Sequence, residues 1–185
     1  MDKRLEKALE TLNKPGVILT PTETVYGISC SAFEESQIER IYNIKQRPKN
    51  KSFIVLVDSE KMIEQFVNRL SPSEKELLND INPTTVILSN IKNLPKFLMA
   101  EDGSLAFRIT QHPEIKKLIS MFGSPIISTS ANITGKPTAI SLKDIDTCIL
   151  DAVDYTLDLQ SEFKPSSIPS RIVKIKDGNV EIIRA

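Results

Sequence analysis

The feature that most constrains this chain is a series of short, continuous apolar runs separated by amphipathic segments. In Phe53–Val57, five consecutive residues are apolar, as expected of a strand that is covered on both faces. Similar apolar or β-branched runs occur at Val17–Leu19, Thr85–Leu88, Leu105–Ile109 and Pro125–Ile127. These runs alternate irregularly with helical patterns, which predicts a single α/β domain, spanning residues 1–185, with a mixed sheet.

Helices are predicted where apolar residues recur every three or four positions or where a capping pattern begins a segment. Ser71 and Glu74 form a capping-box pattern with Pro72 at the first helical position. The predicted helices run from Leu5 to Leu12, from Ile38 to Lys45, from Pro72 to Leu78, over Pro113–Phe122 and, after a weaker cap at Ser141, over Ile145–Leu150. Further on, the pattern predicts a strand at Tyr155–Leu159 and a closing hairpin of Arg171–Ile175 with Val180–Ile183.

Composition excludes several classes of function. The 185 residues include 24 lysines and arginines and 24 aspartates and glutamates, so the formal net charge is zero and any basic surface is local. With Cys30, Cys148 and the single histidine His112, a disulfide framework, a His-rich metal site and a Ser-His-Asp triad are not expected. No apolar run approaches the ~20 residues that span a bilayer. We expect a soluble, cytoplasmic protein with no membrane partner and no dedicated metal site.

Two short polar segments are candidates for ligand binding. Lys45–Lys51 has a cation at every second position, and Pro48 favours an extended residue before it, so the cations are expected on one face. The expected cation row is Lys45, Arg47, Lys49 and Lys51. In Ser128–Asn132, small polar side chains alternate in the same way. Both rows suit a phosphate or nucleotide pocket, but a solvated basic loop and a Ser/Thr-rich turn stay open as plainer interpretations.

Polar residues also lie at or just beyond the ends of the apolar runs, where open α/β sheets bind ligands. Arg108 stands inside an apolar strand, so its burial requires an anionic partner, either a structural salt bridge or a ligand carboxylate. Glu23, between two threonines, leaves the same two alternatives open. Pro137 interrupts the Gly-Lys-[Ser/Thr] pattern of a P-loop at Gly135–Thr138, so no standard glycine loop is present.

An ordered set of segments resembles the YrdC-like family of threonylcarbamoyl-AMP synthases, in its short, single-domain type. The segments are Pro21–Gly27, Lys45–Pro48, Phe53–Val57, Ser104–Arg108, Ser128–Gly135, Pro169–Val173 and Ile183–Arg184. The resemblance covers nearly the whole chain. It implies a twisted mixed or mostly antiparallel sheet, flanked by helices around a concave basic pocket. It also implies synthesis of L-threonylcarbamoyl-AMP from L-threonine, bicarbonate and ATP, with release of pyrophosphate, for N6-threonylcarbamoyladenosine in tRNA.

The resemblance also implies residue roles by position. The implied nucleotide contacts are Arg47, Lys51, Ser104, Ser130, Thr138 and Arg184. The implied threonine contacts are Thr24, Arg108, Ser128 and Ser170, and the catalytic signature is Lys45, Arg47, Ser130 and Asn132. Mg²⁺ is expected to arrive with ATP, and tRNA-modification proteins are expected to accept the adenylate.

Two alternatives remain within the same fold. One is a paralogue that binds double-stranded RNA or tRNA without making the adenylate, although zero net charge and the lack of an RRM-type aromatic pair argue mildly against it. The other is carbamoyl-adenylate chemistry on a different substrate, as in multidomain relatives that mature hydrogenases.

Overall fold

The computed structural model of the protein describes residues 2–48, 52–159 and 168–185. Within them, nine strands form one mixed sheet, and six α-helices surround it. The helices are α1 (Lys3–Asn13), α2 (Glu35–Lys45), α3 (Glu60–Ile63), α4 (Pro72–Leu78), α5 (Pro113–Phe122) and α6 (Thr147–Leu150). The strands are β1 (Ile18–Thr20), β2 (Gly27–Ser31), β3 (Ile54–Val57), β4 (Thr84–Leu88), β5 (Leu105–Ile109), β6 (Ile126–Ser130), β7 (Tyr155–Thr156), β8 (Arg171–Lys176) and β9 (Asn179–Arg184).

The strand order is β7-β1-β2-β6-β3-β5-β4-β8-β9. Three neighbouring pairs are parallel, namely β1 with β7, β3 with β5 and β4 with β8, and the other pairs are antiparallel. The predicted mixed sheet is therefore confirmed. Strands distant in sequence, such as β2 and β6, lie side by side, which brings separate polar segments together.

One face of the sheet carries the apolar core. A row of residues in register runs across five strands, and each of its members has no exposed surface. The row is Ile127, Val55, Phe107, Val86 and Val173. Helices α1, α2 and α5 contribute leucines and isoleucines to the same cluster. Because side chains alternate along a strand, the neighbouring positions Ser128, Ile54 and Arg108 point to the opposite face.

Several predicted elements have the expected bounds. Strand β5 and helix α5 match their predictions residue for residue. Ser71 caps α4 in a capping box with Glu74, as its sequence pattern indicates. The closing hairpin forms with Asp177 and Gly178 at its turn, both at positive φ.

Other predictions are wrong in detail. The cation row does not begin in an extended conformation, because α2 continues through Lys45 and Gln46 then adopts a left-handed conformation with φ of 49°. The predicted strand Tyr155–Leu159 is reduced to the two residues of β7, which pair in parallel with β1. Ser141 caps only a 3₁₀ turn, Leu142–Asp144, and α6 begins later behind its own N-cap, Asp146. Strand β2 and helix α3 were not predicted, because β2 contains small polar residues and α3 has only four residues.

Truncating Phe107 should strongly destabilise the protein, because this side chain fills the middle of the core row. For Phe107→Ala we expect a loss of about 3–5 kcal/mol in the free energy of unfolding, measured by urea denaturation. The matched control is Ile81→Ala, since Ile81 is 87% exposed and its loss should change stability by less than about 0.5 kcal/mol. Equal stability of the two variants would contradict this placement of the core.

Candidate functional site

A pocket with a volume of about 170 Å³ opens on the face of the sheet opposite the core row. The loop between β1 and β2 forms one wall, β6 forms another, and the segment entering β8 closes it together with β9. Seven of the residues assigned to the site from the sequence line it together. They are Arg47, Arg108, Ser128, Ser130, Thr138, Ser170 and Arg184. The expected convergence of strand-end polar groups on one pocket is therefore observed.

Three arginines from distant parts of the chain give this pocket its charge. Arg184 is held by the Ser170 carbonyl, which accepts hydrogen bonds from Nε at 3.1 Å and Nη2 at 2.6 Å. Arg47 donates from Nη2 to the Ser52 carbonyl at 2.8 Å. Burial lowers the pKa of Arg47, and burial together with the nearby Arg108 cation lowers the pKa of Arg184. Such a cluster of fixed cations favours an anionic ligand.

Arg108 has a structural partner, which answers the question left open by the sequence. Its Nε lies 3.0 Å from Oε1 of Glu23, and both side chains are at most 6% exposed. The two atoms form an ion pair by distance but do not have hydrogen-bond geometry. The other carboxylate oxygen of Glu23 accepts a hydrogen bond of 3.0 Å from Oγ1 of Thr110. Arg108 nevertheless lines the pocket, so the salt bridge and a ligand carboxylate are compatible rather than exclusive.

The loop that carries Glu23 is shaped by Thr22. Its hydroxyl donates to the carbonyl of Val25 at 2.7 Å and accepts from the backbone N–H of Thr24 at 3.1 Å. Thr24 itself is buried and its hydroxyl lies 3.0 Å from that of Thr22, so it supports the loop and does not line the pocket. Thr22 is the threonine of this segment that reaches the pocket wall.

Lys45 is a buried cation beneath the pocket and does not line it. Its Nζ donates to the carbonyls of Ser130 and Asn132 and to Oδ1 of Asn132. The backbone carbonyl of Lys45 in turn accepts a hydrogen bond from the N–H of Thr134. Lys45 therefore ties the end of α2 to the segment that follows β6. Burial and the nearby Arg47 lower the pKa of Lys45 to about 8, although the three oxygens favour its ammonium form.

Two other predicted residues lie in clefts that adjoin the pocket. Ser104 lines a cleft that shares Ser52 with the pocket, and its hydroxyl donates to Asp102 at 2.5 Å. Asn132 lines a cleft on the other side, which shares Thr138 with the pocket. Its Oδ1 accepts a hydrogen bond from the hydroxyl of Ser130 at 2.5 Å. The last predicted residue, Lys51, and its neighbour Lys49 lie outside the described residues.

The sequence did not indicate the apolar part of the wall. Ile54 and Ile172 line the pocket, but each belongs to a strand whose pattern predicts only core positions. The sequence also did not indicate that Gly27 is needed for the close approach of two strands. A Cβ atom built there would lie 2.6 Å from Oγ of Ser128, so glycine lets β2 approach the polar face of β6.

Among the described residues, no group of three or more His, Cys, Asp and Glu side chains is placed to hold a metal ion. The polar lining of the pocket consists of guanidinium and hydroxyl groups, whereas Mg²⁺ prefers carboxylate, phosphate and water oxygens. None of the described helices combines the length and apolar character needed to cross a membrane.

Comparison with known proteins places this geometry in a family. The Sua5/YciO/YrdC model, described as "Telomere recombination", matches residues 10–185. The threonylcarbamoyl-AMP synthase of Pseudoalteromonas translucida is 34% identical over 169 residues, covering 87% of this chain and 89% of that protein. The chain belongs to the Sua5/YciO/YrdC family. The threonylcarbamoyl-AMP synthase of Xanthomonas euvesicatoria pv. vesicatoria is 33% identical over 180 residues, covering 95% of both chains.

A solved structure of the Sua5/YciO/YrdC family has the same fold. The crystal structure of P. abyssi Sua5 complexed with L-threonine superposes with a TM-score of 0.86 and 24% sequence identity. The match covers 97% of this chain and 53% of the Sua5 chain, so this chain spans about half the length of that protein. The YrdC-like fold expected from the sequence is confirmed.

Because of Lys45, the free energy of unfolding should rise with pH in the alkaline range. The pKa of Lys45 is about 8 in the folded state and 10.5 is its ordinary value, so between these pH values the unfolded chain binds more protons. The free energy of unfolding therefore rises with pH in this window, by roughly 2–3 kcal/mol for this residue. Urea denaturation at pH 7 to 10 should show this rise as a growing difference between the wild type and Lys45→Met. The exposed-site control Lys176→Met should keep a constant difference, and a constant difference for Lys45→Met would contradict the assignment.

Proposed function

We propose that this protein synthesises L-threonylcarbamoyl-AMP from L-threonine, bicarbonate and ATP and releases pyrophosphate. The observation that carries the proposal is the convergence of Arg47, Arg108 and Arg184 with serine and threonine hydroxyls in one pocket. The reaction requires a site for an amino-acid carboxylate next to a site for several phosphate groups. The relatives named threonylcarbamoyl-AMP synthase match this chain over nearly their full length, which supports the same assignment.

The amino acid is proposed to lie beside β5 and β6. Arg108 would bind the threonine carboxylate through Nη1 and Nη2, because Nε faces Glu23. Ser128 and Ser170 would supply hydrogen bonds to its polar groups from opposite walls. Thr24 is buried, so we propose that it affects threonine binding indirectly. Its hydroxyl contacts that of Thr22 and thereby supports the shape of the loop.

The nucleotide is proposed to occupy the rest of the pocket and the adjoining clefts. Arg47 and Arg184 would face the phosphates, and Thr138 would donate a hydrogen bond to them. Ser130, whose hydroxyl donates to Asn132, would form part of the wall against which the nucleotide packs. Ser104 would reach the nucleotide from the cleft that shares Ser52 with the pocket. The pocket volume of about 170 Å³ is smaller than typical ligand sites of roughly 300 Å³ or more, so we expect ATP to extend into these clefts.

The proposed chemistry needs no side-chain nucleophile. The threonine amine first attacks the carbon of bicarbonate to give a carbamate, with loss of water. A carbamate oxygen then attacks the α-phosphorus of ATP, and the bond from that phosphorus to the bridging oxygen breaks as pyrophosphate leaves. Such a transfer can be catalysed by holding the reacting groups in line and by stabilising the negative charge that develops on pyrophosphate. The fixed arginines would supply this stabilisation. Lys45 and Asn132 would act by holding the Ser130 wall in place.

Mg²⁺ is proposed to enter as part of the MgATP substrate, held by phosphates and water. The product is proposed to pass to tRNA-modification proteins in the cytoplasm. The wall residues that we assign to ATP are the same ones that would bind backbone phosphates in the RNA-binding alternative. The small volume of the pocket, about 170 Å³, and its walls from β6, β9 and the loop between β1 and β2 favour a small molecule over a duplex.

The decisive measurement is ATP-dependent release of pyrophosphate with L-threonine and bicarbonate each omitted in turn. We expect release only with both present, and release that ignores threonine would exclude the proposed function. Arg47→Ala should reduce the rate by at least about a hundredfold, because one preorganised charge on the transition state is lost. Lys176→Ala removes an exposed cation outside the pocket and should retain full activity.

Two further measurements separate the alternatives. Thermal unfolding of Arg47→Ala should match the wild type closely, which would assign the lost rate to chemistry rather than folding. Binding of double-stranded RNA in a gel-shift assay, without threonine-dependent release of pyrophosphate, would favour the RNA-binding paralogue instead.

A further inference from the structure

Glu23 is a buried carboxylate that contacts a residue of the pocket wall but does not line the pocket itself. It is 4% exposed and does not line the pocket, yet it lies 3.0 Å from the Nε of Arg108, which does. Its second oxygen accepts the hydroxyl hydrogen of Thr110, two residues after Arg108 on the same segment. Glu23 therefore joins the loop between β1 and β2 to the end of β5 at two points.

We propose that Glu23 is a positioning residue that fixes the guanidinium of Arg108 for binding the amino-acid carboxylate. The inference rests on the proposed function, because it assigns Arg108 to the amino-acid part of the site. Glu23 itself would touch neither threonine nor ATP. It would act only by setting the orientation of the Arg108 guanidinium.

The geometry of Arg108 carries this inference. A guanidinium has five N–H donors in one plane, and fixing one edge of the plane fixes the other. Nε lies 3.0 Å from the Glu23 carboxylate in an ion pair without hydrogen-bond geometry, so it is the buried charge of Glu23 that holds this edge of the guanidinium. Nη1 and Nη2 form the outer edge, and no hydrogen bond within the described residues involves either of them. That edge can bind a carboxylate through two parallel bonds. Arginine side chains lose about 2 kcal/mol of rotamer entropy when fixed, and here that loss is incurred in folding rather than in binding.

The local structure is built to hold the carboxylate of Glu23 still. Thr22 fixes the loop through its bonds to Thr24 and Val25, and the loop is tied down further where Ala131 donates to the Tyr26 carbonyl at 2.8 Å. Glu23 also supplies the buried anion that Arg108 needs when no ligand is bound. A ligand carboxylate would then add to this pair without displacing it.

The test is the kinetics of Glu23→Gln, which keeps the shape of the side chain and removes its charge. We expect the KM for threonine to rise at least about tenfold, since binding then has to order the Arg108 side chain. The KM for ATP should stay within about twofold, because Arg47 and Arg184 are held by other groups. A purely structural role would change both constants together or neither. Isothermal titration with threonine should show the same loss in affinity without catalysis.

Two further variants serve as a control and as a second test of the role of Glu23. Glu60→Gln makes the same chemical change in an ion pair with Lys75, away from the pocket, and should leave both constants unchanged. If Glu23→Gln fails to fold, Thr110→Val keeps the charge of Glu23 but removes the bond to Oε2, together with the 3.3 Å bond that Oγ1 accepts from the His112 N–H. A smaller rise of about threefold in the threonine KM is then expected. An unchanged threonine KM in a folded Glu23→Gln or, where that variant does not fold, in Thr110→Val would overturn the inference.

The double variant Glu23→Gln/Arg108→Lys shows whether Glu23 acts through Arg108. Lysine has no fork to orient, so Glu23→Gln should have little further effect on the threonine KM once Arg108 is replaced. Effects that simply multiply would contradict a positioning role. Failure of the proposed function would appear separately, as a wild-type protein whose pyrophosphate release does not depend on threonine.

Discussion

Backbone pairing of β3 with both β5 and β6 is the constraint on which the pocket depends. Strand β3 pairs in parallel with β5 and antiparallel with β6, and its register places Ser128 beside Ile54 and Arg108 beside Leu56. The same register puts Val55 between Phe107 and Ile127 on the other face. A slip of one residue would exchange the two faces, burying the polar groups and exposing the core. Stability and ligand binding are thus set by a single alignment of strands.

The pocket concentrates positive charge in a chain whose formal net charge is zero. Three cations in and beneath it are held by groups from other parts of the chain. Glu23 balances Arg108, the Ser170 carbonyl holds Arg184, and backbone oxygens of the segment after β6 surround Lys45. These partners keep the cations in place before any ligand arrives, which is the condition for electrostatic preorganisation. Because most of these partners are neutral oxygens, the pocket stays positive although the formal net charge of the chain is zero.

The sequence predicts the fold well where elements are long and regular, as in α5 and β5, because their periodicity is determined locally. It fails at β2, whose small polar residues become a strand only because β1 and β6 flank it. For the site, alternation correctly groups Ser128 with Ser130, whereas it misplaces Lys45, which ends a helix. The pairing of Glu23 with Arg108 joins residues 85 positions apart in sequence, and no local pattern encodes that distance.

The strand order also determines when the pocket can form during folding. Strand β2 meets β6 only after about a hundred residues of intervening chain have been placed, and the wall formed by Ser170 and Arg184 comes later still. Contacts of such long range are entropically costly to close and are associated with slow folding. On a ribosome, the early hairpin of β1 and β2 would emerge without its neighbour β6, leaving a strand edge unpaired. From this order we expect the binding site to be completed only after β6, β8 and β9 are in place, and slow synthesis of the middle of the chain would prolong the exposure of that edge.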